Sequence, residues 1–178
     1  MSFRAPIGTN AFRQALRRRE DSTPRDHRVV HEASRLVFCV LLGIPVKEIR
    51  ISDASIQVHY DTDGALSSHQ VLDNSIQMIM SGVITVQTVL GQENHLFEPA
   101  LAEAQMLYGR SSRIHDEFAN DFDGLLSICS QAAIANLANP KIREAIYSVI
   151  RILNRERNDL RGEMLIRLLM NVRSKLSA

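Results

Sequence analysis

Pro24-Arg25-Asp26-His27-Arg28-Val29-Val30-His31-Glu32-Ala33-Ser34-Arg35-Leu36-Val37-Phe38-Cys39-Val40-Leu41-Leu42 is the stretch on which the reading of this chain turns. Thr23 can cap a helix, Pro24 suits the first helical position, and Asp26 can complete a capping box. Val29, Val30, Ala33, Leu36, Val37, Val40 and Leu41 recur at helical spacing. Gly43 and Pro45 close the element. The pattern predicts a helix over 25–42, and its first half carries His31-Glu32-Ala33-Ser34-Arg35.

Two short strands are expected next, over 46–51 and 56–60. Both alternate in part between apolar and polar residues, and Asp53-Ala54-Ser55 makes a plausible hairpin connection. Asp61 to Ala65, with Gly64, is turn chemistry. It resembles the start of a calcium loop but lacks the closing glutamate. The remainder reads as helical. One helix runs from a Ser67 or Ser68 cap to Leu90, with Gly82 inside it marking close helix packing. A shorter one opens at Pro99 and ends near Tyr108. A long one runs from Ser111 or Ser112 to Leu137, then one from Pro140 to Asn154, and a last from Gly162 to Leu176. The expected fold is mainly α with a small β-hairpin. It divides into an Arg-rich N-terminal arm over 1–24 and one helical domain over 25–178.

Bulk composition narrows the function classes. The 178 residues are 45% hydrophobic and 23% charged, enough for one domain with a real core. A net charge of +1 and aromatics at 5%, with no Trp, argue against nucleic-acid binding. Arg17-Arg18-Arg19 is followed at once by Glu20 and Asp21, so the arm reads as solvated or docking. No apolar run reaches membrane-span length, and the polar start has no signal-peptide core. Cys39 and Cys129 lie in apolar helical patterns and read as buried free thiols, which suits a reducing cytoplasm. Met78, Met80, Met106, Met164 and Met170 read as core. Ser34, Ser81 and Ser130 have no nucleophile context.

His31-Glu32-Ala33-Ser34-Arg35 differs by one residue from H-E-x-x-H. That motif sets two imidazoles one helical turn apart to bind zinc, with the glutamate as general base. Here Arg35 stands at the second histidine, and a guanidinium has no lone pair to give a metal.

With its surroundings the motif resembles the opening of the FtsH-type AAA-protease peptidase domain. His31-Glu32-Ala33 is followed by Leu41-Leu42-Gly43-Ile44-Pro45-Val46-Lys47-Glu48-Ile49, similar to the family's passage from the motif helix into a strand. Ile79 to Gly91 resembles a second family helix, with Gly82 and Gly91 at matching spacing. Ser111-Ser112-Arg113-Ile114-His115-Asp116 is the best match to the segment bearing the family's third zinc ligand. The segments 149–153 and 161–166 resemble its closing helix pair. The resemblance covers about residues 25–176 and implies a zinc-peptidase-like helical fold. It does not extend to the ATPase, since no G-x-x-x-x-G-K-[ST] occurs.

A live site would use His31 and Asp116 as zinc ligands and Glu32 as base, short of the three protein ligands that catalytic zinc normally has. His27, one turn before His31, is a possible substitute, though it would shift the metal by about 5.4 Å along the helix. Otherwise His27 reads as an exposed first-turn residue and His115 as a first-turn residue, and His59, His69 and His95 lack ligand spacing. A site without metal leaves Glu32 and Asp116 as like charges facing one pocket. Arg35 then takes the place of the cation and bridges them; the plain alternative is a surface arginine. The expectation is a non-catalytic, peptidase-like binding or scaffold module, with no cofactor, and with a protein partner or a second copy as its ligand. Two alternatives stand beside it: a stand-alone zinc metallopeptidase with an altered ligand set, and an unrelated helical interaction protein.

Overall fold

The computed structural model describes residues 24–53, 55–61, 68–90, 95–112 and 121–177. The N-terminal arm before Pro24, the turn at Gly64, and the segment bearing His115 and Asp116 lie outside them. Among the described residues the chain is mainly helical, with six helices and one two-stranded sheet.

Helix α1 (Pro24–Leu42) is the central element. Leu36, Val37, Phe38 and Cys39 are all sealed from solvent. The helix ends where Gly43 turns left-handed at φ 73°. The Ile44 N–H then reaches back to the Cys39 carbonyl at 2.8 Å, a closure that satisfies a terminal carbonyl and favours glycine at the turn. Strands β1 (Val46–Ile51) and β2 (Ile56–Tyr60) follow. They pair antiparallel, Ile49 opposite Val58 and Ile51 opposite Ile56, with an irregularity between Val46 and Glu48. The other edge of β1 is met by Leu160, which exchanges two backbone hydrogen bonds with Ile49 at 3.0 and 2.9 Å. The Asp159 carboxylate accepts from the Ile51 N–H at 2.8 Å. The Ile49 and Ile51 edge donors of β1 are thereby satisfied, which limits pairing with another chain.

Helix α2 (His69–Leu90) crosses α1 through small and hydroxylated residues. Ser68 caps it, accepting from the Val71 N–H at 3.3 Å. Inside the crossing, Ser34 Oγ lies 2.8 Å from Thr85 Oγ1 and donates to the Ser81 carbonyl at 3.2 Å. Gly82 leaves room for a side chain of α1: a Cβ built there would sit 2.6 Å from His31 Cδ2. The close packing expected at Gly82 is thus contact with the motif histidine itself.

Helices α3 (Phe97–Ser112), α4 (Phe122–Leu137), α5 (Pro140–Arg155) and α6 (Gly162–Ser177) complete the fold. Two boundaries correct the sequence reading. Pro99 does not open a short helix; it lies in the first turn of α3, where its missing N–H costs nothing. Ser111 and Ser112 do not start a long helix; they end α3. Helix α4 starts at Phe122 behind Asp121, whose carboxylate accepts from the Gly124 N–H at 2.8 Å. Asn139 caps α5 as expected, ahead of Pro140.

Cys39 and Cys129 are buried free thiols. Loss of solvation on burial pushes both up to about 12, so neither is a ready nucleophile. Met78 and Met80 are core, whereas Met106, Met164 and Met170 are exposed. Helical spacing places those three near an apolar stripe, but the fold leaves them uncovered among the described residues. No helix among the described residues is long and apolar enough to cross a membrane.

Candidate functional site

The motif residues lie where α1 meets α2, β2 and α3. The apolar positions of α1 face the core on more than one side, so the polar residues between them are enclosed too. His27, His31, Glu32, Ser34 and Arg35 are all buried. For His27 this corrects the expectation of an exposed first-turn residue: its ring stacks on His95, centroids 5.2 Å apart.

Glu32 is held from three directions. Oε2 accepts from the Val58 N–H of β2 at 2.9 Å. Oε1 lies 3.1 Å from His31 Nδ1 and 3.6 Å from Arg35 Nη1. Burial works to raise its pKa, but Arg35, His31 and the Val58 N–H outweigh that and hold it below the ordinary glutamate value. It is therefore a carboxylate at neutral pH, with both oxygens engaged.

Arg35 is 7% exposed, which excludes the surface-residue reading. Its Nη2 donates to Glu103 Oε1 of α3 at 2.8 Å and also to the Tyr60 hydroxyl. Tyr60 in turn donates to the same Glu103 oxygen, and the Arg35 guanidinium carbon lies 4.9 Å from the centroid of the Tyr60 ring. Burial opposes the guanidinium charge, but Glu32, Tyr60 and Glu103 more than compensate, so its pKa is raised. Burial likewise raises that of Tyr60, which stays a neutral donor. The arrangement is a buried cation shared by two carboxylates and a phenol, drawn from α1, β2 and α3.

This geometry contains the Glu32 half of the bridge expected from the sequence. Arg35 does pair with Glu32, but the second carboxylate described at its side is Glu103, and Asp116 lies outside the described residues. Neither Glu103 nor Tyr60 was singled out in the sequence. Glu103 is 68 residues away along the chain, in a helix with no motif of its own. The one available signal was physical: a buried arginine needs more acceptors than a single glutamate supplies.

The fit to zinc is poor at the described residues. His31 turns its Nε2 edge against Gly82, and the next ligand position in the motif is filled by the Arg35 cation. Among the described residues no group of three or more His, Cys, Asp or Glu is arranged to hold a metal ion. Chemically the cluster can tie three elements together; the Glu32 carboxylate is fully engaged, while His31 Nε2 is buried without a hydrogen-bond partner among the described residues. No protein-family model matches the chain, and no curated protein matches it.

Proposed function

We propose that this chain is a non-catalytic, peptidase-like protein that serves as a binding or scaffold module. The supporting observation is Arg35. It stands at the second ligand position of an H-E-x-x-H frame, buried and bound by the glutamate that would be the general base. A working base must reach a water and take its proton. Glu32 has both oxygens occupied by Val58, His31 and Arg35, and the positive charge beside it lowers its basicity. The resemblance of 25–49 to the FtsH-type peptidase opening supports the peptidase-like part of the reading. On this view Arg35 supplies the positive charge that zinc would otherwise bring between helices.

The test has two arms. Purified chain is exposed to equimolar zinc, desalted, and assayed for retained metal and for cleavage of unfolded casein. The expected result is neither retained zinc nor zinc-dependent cleavage. Stoichiometric zinc with cleavage abolished by Glu32→Gln would establish a peptidase and overturn the reading. The second arm uses Arg35→His, which restores the H-E-x-x-H pattern. It is expected to gain zinc affinity, read as a zinc-dependent rise in melting temperature absent from the unaltered chain. No gain would remove the support for a peptidase-like site and favour an unrelated helical protein.

A further inference from the structure

The outer face of α6 is more apolar than its packing explains. Leu165, Leu168 and Val172 are buried against the rest of the fold. Beyond that stripe the apolar surface continues through half-buried Leu169 to Ile166 and Met170, which are 56% and 63% exposed. A helix apolar over more than its buried stripe has room for another neighbour. At 3.6 residues per turn, Ile166 and Met170 share one face with Glu163 and Arg173, all four within about 80° of one another. Glu163 is exposed and pairs within its own helix, to Arg167 at 2.6 Å. The exposed Arg173 guanidinium makes no ion pair among the described residues.

The spacing of these four residues is symmetric. Glu163 lies three residues before Ile166, and Arg173 three residues after Met170. Reversal about Leu168 exchanges Ile166 with Met170 and Glu163 with Arg173. We infer that α6 is the seam of a two-fold dimer, in which α6 of a second copy lies antiparallel on this face. Ile166 then meets Met170 of the other copy, and Glu163 meets Arg173 of the other copy, at both ends. A two-fold interface needs such a self-complementary patch, and the opposite charges at its two ends set the antiparallel direction. Ser174 and Ser177, exposed on the same side, leave room for close approach. With only Ile166 and Met170 of each copy at its apolar centre, the seam is small and the dimer is weak and concentration-dependent. This inference is independent of the Arg35 site: a monomer overturns it and leaves the proposed function intact, while zinc-dependent cleavage does the reverse.

Sedimentation equilibrium of the full chain, over about 10 to 500 μM to bracket so small an interface, is the test. A monomer–dimer equilibrium is expected. Ile166→Glu with Met170→Glu should weaken it about tenfold or more, because each change acts twice across the two-fold and removes apolar burial. Both side chains are exposed, so the melting temperature of the monomer should hold; if the double variant fails to fold, Met170→Glu alone serves. Glu163→Arg alone and Arg173→Glu alone should each weaken the dimer, and the two together should restore it to within about threefold, since the pair is remade with reversed polarity. A monomer at every concentration, a dimer indifferent to the Glu substitutions, or a charge swap that fails to restore would each overturn the antiparallel seam.

Discussion

Two ion-pair clusters in this molecule use the same side chains in opposite surroundings. In one, Arg35 joins Glu32 and Glu103 beneath α3, and the Arg35 and Glu32 side chains are each 9% exposed. In the other, Arg161 contacts Glu48 and Asp159 at 2.8 and 3.0 Å, and Arg50 contacts Glu48 at 2.6 Å. There Arg50 and Arg161 are 58% and 59% exposed. By distance alone the second cluster is the tighter. Water decides otherwise. Exposed pairs exchange one set of hydrogen bonds for another and are screened. A buried charge that loses its partner keeps its desolvation cost with nothing to offset it. Dependence on the partner, rather than bond length, separates the site from the surface.

The comparison is sharpest at Arg35. Arg35→Met should lower stability by about 3–5 kcal/mol, because Glu32 is left as an uncompensated buried charge. In a chain of this size that is a drop in melting temperature on the order of 10 °C, measurable by calorimetry. Gly82→Ala comes next. Its new methyl overlaps the His31 ring, and the overpacking should cost about 1–3 kcal/mol. Combining it with His31→Ala should cost less than the sum of the two, measured by urea unfolding, since the second change removes the atoms that clash.

The pH dependence follows from Glu32. Its folded pKa lies below its unfolded value, so its contribution is fully present above the usual glutamate value of about 4.3. That contribution is lost as pH falls towards the depressed folded value. The slope is at most about 1.4 kcal/mol per pH unit for one proton. Urea unfolding as a function of pH should show this acid-side loss, and Glu32→Gln should flatten it. At the small end, Arg161→Ala should cost no more than about 1 kcal/mol. The difference should shrink in high salt, which the same unfolding series would show.

The parts of the fold governed by local chemistry were legible in the sequence. Gly43 with Pro45 marked the end of α1, Asn139 with Pro140 the start of α5, and alternation gave β1 and β2. The helix boundaries near Ser111 were misread because a serine is equally at home before a helix or in its last turn. The site was half legible. His31, Glu32 and Arg35 share a short motif on one helix, so their proximity needed only the helical repeat. Glu103 and Tyr60 join them through tertiary packing of α3 and β2 on α1, which carries no local signal. Gly82 was legible as a close approach, but its partner, the His31 ring, was not. The exposure of Met164 and Met170 escaped for a related reason: apolar spacing names a face and does not say whether this molecule covers it.

The central claim is that Arg35 and Glu32 are a coupled buried pair. A double-mutant cycle built from Arg35→Met, Glu32→Gln and their combination tests it, with the free energy of urea unfolding at neutral pH as the readout. Gln keeps an acceptor for the Val58 N–H while removing the charge. The account predicts that Glu32→Gln recovers about 2 kcal/mol or more of what Arg35→Met loses, since a buried pair removed together costs far less than one partner removed alone. Additivity to within about 0.5 kcal/mol would show that Arg35 and Glu32 do not depend on each other, and would contradict the account.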